Sequence, residues 1–149
     1  MDAIDKEPRI LLVEDDRADR ERTLEALRKL GLGYEARVVT GGQEALDYLL
    51  GRGRFHERSR HPLPDLVLLD LSLAPLDGLH VLHRIREHER LRTIPVVILC
   101  ASPEERDRAR IETARAHAYA MKPVSADDMR ELVRMTYPSI SGYAAMRFE

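Results

Sequence analysis

Two stretches of this 149-residue chain are apolar at almost every position. One is DLVLLDL at residues 65–71, and the other is IPVVIL at residues 94–99. A strand whose two alternating faces are both apolar is typical of the centre of a parallel sheet, where helices cover the two faces. This feature therefore predicts an α/β fold built around two central parallel strands.

Weaker strand and helix patterns surround these two runs and alternate along the chain. Three further strand patterns lie at residues 9–13, 34–40 and 118–121, and a helix pattern follows each of the five strands. Five strands that alternate with five helices predict a parallel sheet with helices on both faces, joined by right-handed crossovers. A chain of this length and pattern is expected to form one domain.

Three helix starts carry clear local signals. Asp16 is suited to cap the first helix. Ser102 followed by Pro103 predicts the start of the fourth helix, because proline is favoured at the first helical position. Ser125 with Asp128 resembles a capping box at the start of the fifth helix.

The segment between the second helix and the third strand is GRGRFHERSRHPLP, residues 51–64. It is polar and basic, and it has no regular periodicity. It predicts a connection longer than is usual in a compact domain. We interpret its arginine and histidine side chains as a solvated surface rather than a binding patch.

Composition restricts the functional classes. Charged residues make up 34% of the chain, but the two signs are finely mixed and the formal net charge is −2, so nothing suggests a nucleic-acid partner. The single cysteine, Cys100, allows no intramolecular disulfide and favours a reducing compartment. The first residues, MDAIDKEPRI, lack the apolar segment of a signal peptide, and no apolar run is long enough for a membrane span. We therefore expect a cytoplasmic protein with no membrane partner.

Polar side chains stand at the carboxyl ends of four of the predicted strands. Glu14 and Asp15 follow the first strand, Asp70 ends the third, Cys100 follows the fourth, and Lys122 follows the fifth. In open parallel sheets, ligands bind beyond these strand ends. Three carboxylates in one cleft repel each other unless a cation compensates, and Mg²⁺ prefers oxygen ligands of this kind. The pattern therefore predicts a magnesium site.

Lysine occurs only three times in the chain, which draws attention to Lys122. Its ammonium is suited to hold a phosphoryl oxygen, or to pair with Asp70 when no phosphate is present. A carboxylate between a metal ion and a lysine can attack phosphorus and form an aspartyl-phosphate. Phosphoryl transfer depends mainly on positioning and charge neutralisation, which these groups supply.

Four motifs in order carry a family resemblance. They are LVEDD at residues 12–16, LVLLDLSLAPLDG at 66–78, IPVVILCAS at 94–102 and AYAMKPV at 118–124. Over residues 8–137 the chain resembles the receiver domain of bacterial response regulators. It most resembles the stand-alone regulators that pair with phytochrome-type sensor histidine kinases.

The resemblance implies a flavodoxin-like (βα)5 fold, in which a doubly wound parallel five-stranded sheet has the strand order 2-1-3-4-5. It implies a receiver domain at residues 9–137, an N-terminal extension at 1–8 and a C-terminal tail at 138–149. The function it implies is that of a single-domain regulator in a two-component phosphorelay. Such a protein is not an enzyme in the usual sense, although it catalyses its own Mg²⁺-dependent phosphorylation and dephosphorylation.

The resemblance also assigns roles to residues of the cleft. Asp70 matches the phosphoacceptor, which is also a ligand of the metal. Asp15 matches a direct Mg²⁺ ligand, and Glu14 an acid that acts on the metal through water. Ser72 is expected to offer its backbone carbonyl to the metal. Lys122 matches the lysine that contacts the phosphoryl group, and its bond to Pro123 is expected to be cis.

The chain departs from the family pattern at two places, which are position 100 and the loop after Asp70. Tyr119 matches the aromatic position that, in the family, reports phosphorylation by swinging inward. Cys100 stands where the family has Thr or Ser, and its thiol is a weak hydrogen-bond donor, so we expect altered coupling between the phosphoryl group and Tyr119. Tyr119 could instead serve only in packing. We favour Cys100 as a chemically silent core residue over a redox sensor, because the nearby carboxylates disfavour a thiolate. The usual proline after the acceptor is displaced by one position, to Pro75, so the loop there is expected to differ.

Two other functions compete with the phosphorelay role. A phosphatase of the haloacid-dehalogenase type also uses an aspartate at a strand end, but it needs a second aspartate two residues later, where this chain has Ser72. The other is a degenerate receiver that acts as an interaction module without phosphate. The retention of Glu14 and Lys122 disfavours it.

The expected partner is a sensor histidine kinase. After Pro123 the chain is too short for an output domain, so the signal is expected to leave through surface contacts or dimerisation. A homodimer could form through the helix at residues 127–137 and the tail, where a frayed end is the alternative. The apolar side chains of the tail are Ile140, Tyr143, Met146 and Phe148.

Overall fold

The computed structural model describes residues 7–31, 33–112 and 115–136. Within these ranges, five parallel strands form one sheet in the order β2-β1-β3-β4-β5. The strands are β1 (Arg9–Val13), β2 (Glu35–Val39), β3 (Leu66–Asp70), β4 (Val96–Cys100) and β5 (Ala118–Met121). The flavodoxin-like fold and its predicted strand order are therefore confirmed.

A helix follows each strand. The helices are α1 (Arg17–Arg28), α2 (Gly42–Leu50), α3 (Gly78–Glu87), α4 (Pro103–Glu112) and α5 (Ala126–Thr136). The predicted N-cap of α1 is present, since the Asp16 carboxylate accepts a hydrogen bond from the amide of Asp19. Ser102 and Ser125 cap α4 and α5 in the same way, as predicted.

The core has two layers, one on each face of the sheet. All five residues of β3 and of β4 are buried. On one face, their side chains pack with apolar residues of α2 and α3, and on the other with those of α1 and α5. Full burial of each large aliphatic side chain contributes roughly 1.5–3 kcal/mol, so the two central strands anchor the fold.

The fourth strand begins two residues later than the pattern predicted. The amide of Ile94 donates to the Leu91 carbonyl at 3.0 Å, so Ile94 belongs to the preceding turn. Pro95 has no amide hydrogen to donate to the sheet. The ladder with β3 therefore starts at Val96, which pairs with Val67.

The predicted loop at residues 51–64 contains a short 3-10 turn, Gly53–Phe55, and it is tied to α2. The Arg58 guanidinium donates to the Tyr48 carbonyl at 2.8 Å, and it also contacts the Leu49 carbonyl. The prediction of a solvated surface is therefore wrong for Arg58, because the last turn of a helix leaves carbonyls that need donors. It holds for the exposed residues Arg52, Arg54, His56 and Arg60.

Two predictions fall largely outside the described residues. The tail with its four apolar side chains lies beyond Thr136, so only the helix part of the proposed dimer surface, α5, is described. Most of the predicted extension also lies outside them. Within the described ranges, none of the helices has both the length and the apolar character to cross a membrane.

Candidate functional site

The carboxyl ends of the neighbouring strands β1 and β3 bring three acidic side chains together. Glu14 and Asp15 directly follow β1, and Asp70 is the last residue of β3. Since β1 and β3 are hydrogen-bonded neighbours, these chain ends lie side by side. One carboxylate oxygen from each residue lies within 4.8 Å of the other two. Glu14 and Asp70 are buried, whereas Asp15 is exposed.

Lys122 directly follows β5, an edge strand of the sheet, and its side chain reaches this cluster. Its amide donates to the Cys100 carbonyl at 2.8 Å, which extends the β4–β5 ladder by one residue. Its Nζ donates to Asp70 Oδ1 at 3.1 Å and to Glu14 Oε1 at 3.4 Å. The side chain is only 10% exposed, so the charge is largely removed from water. The structure thus places Asp15, Asp70 and Lys122 in one cleft.

Asp19 is a member of this cluster that the sequence analysis missed. Its Oδ2 lies 2.9 Å from Lys122 Nζ, which is the shortest of the three carboxylate contacts of that ammonium. A cap at Asp16 puts Asp19 in the first turn of α1, and helical side chains tilt toward the N-terminus, here toward the strand ends. Helix position combined with side-chain direction is the signal that could have found it.

The pKa values of Glu14 and Lys122 are both raised, but for different reasons. Burial raises the pKa of Glu14 to about 8, and a hydrogen bond to Asp70 and the charge of Asp70 add to this rise. Burial would lower the pKa of Lys122, but the hydrogen bond to Asp19 and the charge of Asp70 outweigh it and raise the pKa above its usual value. Lys122 is therefore an ammonium, and without a cation Glu14 retains a proton near neutral pH.

The donor set fits a hard divalent cation. Three carboxylate oxygens at this spacing match the ligand chemistry of Mg²⁺, which takes one or two carboxylates together with water and phosphate oxygens. A dication would also oppose the rise in the pKa of Glu14, since it offsets the charge of Asp70, which adds to the effect of burial.

The loop after β3 folds tightly over the backbone of Asp70. The amide of Ser72 donates to Asp70 Oδ1 at 3.1 Å. Gly78 packs so closely that a Cβ at this position would lie 2.4 Å from the Asp70 carbonyl oxygen. Only glycine avoids this clash, which explains why the chain has Gly at the start of α3. The Ala74–Pro75 bond in this loop is cis, and so is the Lys122–Pro123 bond, as expected for the latter.

Cys100 ends β4 and is fully buried. Burial raises the pKa of its thiol, and the nearby Glu105 carboxylate raises it further. The group is thus a neutral thiol with little access to solvent, which supports its interpretation as a core residue rather than a redox sensor.

Tyr119 lies in β5 and packs against the same core layer as Cys100. The Arg110 guanidinium of α4 lies 5.6 Å from the centre of the Tyr119 ring. This ring is half-buried beneath α4, where either a packing role or a switching role is sterically reasonable.

Comparison with protein families gives a match over most of the chain. The model of the response regulator receiver domain matches residues 10–134. The probable methanogenesis regulatory protein FilR2 of Methanothrix harundinacea (strain 6Ac) is 40% identical over 124 residues, which cover 83% of this chain and 77% of FilR2.

Two further relatives are response regulators, and one of them is named for a bacteriophytochrome. The structure of the bacteriophytochrome response regulator RtBRR is similar with a TM-score of 0.81 and 40% identity, covering 88% of this chain and 78% of RtBRR. The response regulator Rcp1 of Synechocystis sp. (strain ATCC 27184 / PCC 6803 / Kazusa) is 33% identical over 125 residues, which cover 84% of this chain and 83% of Rcp1. The crystal structure of the Mn²⁺-bound form of Rcp1 matches with a TM-score of 0.69 and 32% identity, covering 89% of this chain and 93% of that structure.

Proposed function

Since the chain belongs to the response regulator receiver family, we propose that it accepts a phosphoryl group on Asp70 from the phosphohistidine of a sensor histidine kinase. One observation carries this proposal. The buried Asp70 carboxylate lies 3.1 Å from the Lys122 ammonium and within 4.8 Å of two further carboxylates. No purely structural role requires this concentration of buried charge at a strand end, since an apolar cluster of similar volume would be at least as stable.

The chain's own residues account for most of the chemistry. An Asp70 oxygen attacks phosphorus, the new O–P bond forms as the P–N bond to the imidazole breaks, and the imidazole takes the electron pair. Asp70 needs no general base, because an ionised carboxylate is already a nucleophile. Lys122 holds a phosphoryl oxygen by a charge-assisted hydrogen bond. A bound Mg²⁺ supplies charge neutralisation at the phosphoryl oxygens.

The remaining roles follow from position in the cleft. Asp15, the exposed acid, would be a direct Mg²⁺ ligand, and Glu14 would act on the metal through water. Asp70 and the backbone carbonyl of Ser72 would be the other protein ligands of the metal. Asp19 holds the Lys122 ammonium between the helix and the acceptor, and its 2.9 Å contact supports this role.

The kinase is of the phytochrome type in our proposal, because RtBRR is named a bacteriophytochrome response regulator and is 40% identical to this chain. The signal leaves through altered protein contacts, with Cys100 changing how strongly the phosphoryl group is coupled to Tyr119. Homodimerisation, the cytoplasmic location, and the absence of nucleic-acid and membrane partners stay predictions.

Intact-mass analysis tests the proposal. The full chain is incubated with Mg²⁺ and a small phosphodonor such as acetyl phosphate, in parallel with Asp70→Asn. We expect the parent to gain the mass of one phosphoryl group, Asp70→Asn to gain none, and a chelator to abolish the gain. A parent that gains nothing would favour the phosphate-independent interaction module. An Asp70→Asn variant that gains as much as the parent would place the phosphoryl group on another residue and overturn the assignment of Asp70.

A further inference from the structure

The carboxylate of Glu105, in the first turn of α4, joins three segments of the chain. Glu105 Oε1 accepts a hydrogen bond from the amide of Ala101 at 3.0 Å. The hydroxyl of Ser72 donates to the same carboxylate, at 3.2 Å and 3.3 Å from its two oxygens. One acidic side chain therefore ties the start of α4 to the end of β4 and to the loop after β3.

Helix capping explains only part of this arrangement. Ser102 and Glu105 have the spacing of a capping box, in which the third helical residue accepts from the amide of the capping residue itself. Ser102 does cap the amide of Glu105, at 3.2 Å. Glu105, however, reaches one residue further back, to Ala101, and across to Ser72. The additional contact lies outside the helix and on the side of the acceptor site.

Ser72 connects this carboxylate directly to the acceptor. Its amide donates to Asp70 Oδ1 at 3.1 Å while its hydroxyl donates to Glu105. Asp70 thus accepts a hydrogen bond from the amide of Ser72, and Glu105 accepts one from its hydroxyl. Asp70 becomes more negative when it is phosphorylated, so its repulsion of the Glu105 carboxylate increases.

A phosphoryl group on Asp70 needs hydrogen-bond donors near the ends of β3 and β4. The residue at the end of β4 is Cys100, whose thiol is a weak donor. The amide of Ala101 and the hydroxyl of Ser72 are stronger donors at the same place, and Glu105 occupies both. We propose that Glu105 is an internal anion that holds these two donors in the unphosphorylated protein and is displaced when Asp70 is phosphorylated. The inference rests on the proposed function of Asp70.

Displacement of Glu105 would loosen α4, because this helix buries few apolar side chains. Ala109 is the one buried residue of α4, and Ile111 is 85% exposed. A helix with so few apolar contacts opens at low free-energy cost. Replacement of the Glu105 carboxylate by the phosphoryl group would then release the first turn of α4. This release would not require a threonine or serine at position 100.

Matched variants test the inference. Glu105→Gln removes the charge and keeps an oxygen acceptor, Glu105→Ala removes both, and Glu104→Gln makes the same charge change on the exposed neighbouring side chain. Phosphorylation by acetyl phosphate with Mg²⁺ is followed by intact mass. We expect Glu105→Ala to be phosphorylated roughly five- to tenfold faster than the parent, Glu105→Gln to be intermediate, and Glu104→Gln to match the parent.

Hydrogen exchange of the peptide that spans the first turn of α4 gives a second readout. In the parent, exchange there should rise when Asp70 is phosphorylated, and in Glu105→Ala it should be raised before any donor is added. Equal phosphorylation rates in Glu105→Ala and Glu104→Gln, or unchanged exchange in the phosphorylated parent, would overturn this inference alone. Failure of every variant to accept a phosphoryl group would overturn the proposed function, and this inference with it.

Discussion

Helices α3 and α4 have the same length, ten residues each, and belong to the same core layer, but they are held in opposite ways. α3 buries Val81, Leu82 and Ile85, and its first residue is pressed against the acceptor strand. α4 buries only Ala109, and polar contacts tie its first turn to the neighbouring segments. Apolar anchoring fixes α3 in place, whereas a polar tie can be exchanged when the charge at the site changes.

The same contrast separates the two polar clusters around Asp70. The cluster of Lys122 with Glu14 and Asp19 is largely buried, and its side chains are between 0% and 25% exposed. The contacts of Glu105 with Ala101 and Ser72 are exposed to solvent. Buried charge fixes the geometry of the acceptor, and exposed contacts are weak enough to be replaced.

The largest effect should come from truncating a buried side chain of α3. We expect Leu82→Ala to lower the free energy of unfolding by about 3–4 kcal/mol, because the side chain is fully buried and leaves a cavity. The matched change on α4, Ile111→Ala, should change it by less than about 0.5 kcal/mol, since Ile111 lies on the surface. Urea denaturation of both variants measures the difference. Similar losses in the two would remove the contrast between the helices.

The next effect concerns the contact between α3 and the acceptor strand. We expect Gly78→Ala to destabilise the fold by about 2–3 kcal/mol and to slow phosphorylation, because the new methyl group forces the Asp70 backbone to shift. Gly41→Ala is the control, since a Cβ at that position has no neighbour within 4 Å. Its cost should stay within about 1 kcal/mol. A Gly78→Ala protein that is as stable as this control would show that the close packing is not needed.

The buried cluster should make stability depend on pH in the absence of metal. The fold raises the pKa of Glu14 from an ordinary value of 4.5 to about 8, so between these values the folded state keeps a proton that the unfolded chain releases. This group therefore lowers the free energy of unfolding as the pH rises through that window. Urea denaturation in a chelating buffer should show the decline in the parent. A decline of the same size in Glu14→Gln would assign it to other groups.

The smallest effect is expected at Asp19, the closest partner of Lys122. Asp19→Asn should lower the free energy of unfolding by about 1 kcal/mol, because it weakens a charge-assisted hydrogen bond that is mostly shielded from water. Asp127→Asn, on the 93% exposed acid of α5, should leave stability unchanged. Thermal unfolding of the two variants separates the buried cluster from an ordinary surface ion pair.

The fold could be predicted because its central strands are apolar on both faces, a pattern that only a covered parallel sheet explains. The proximity of Glu14, Asp70 and Lys122 could also be predicted, because each stands at the carboxyl end of a predicted strand. Asp19 could not be found in this way, because its contact depends on how α1 leans over the strand ends. Glu105 was missed for a related reason, since a capping position does not reveal which neighbouring loop the side chain will reach.

The loop at residues 51–64 shows the same limit. Its composition is that of a surface, and most of its basic side chains are exposed. Arg58 is different because the end of α2 offers carbonyl acceptors within its reach. Such a contact is set by the path of the loop, which polar composition does not determine.

Identification of the phosphorylated side chain tests the central claim most directly. Acyl phosphates are reduced by borohydride, which converts an aspartyl-phosphate to homoserine, and peptide mass spectrometry locates that residue. After treatment of the parent with acetyl phosphate and Mg²⁺, we predict homoserine at position 70 and at no other acidic position. Homoserine at position 15 or 19, or none after verified phosphorylation, would contradict the account.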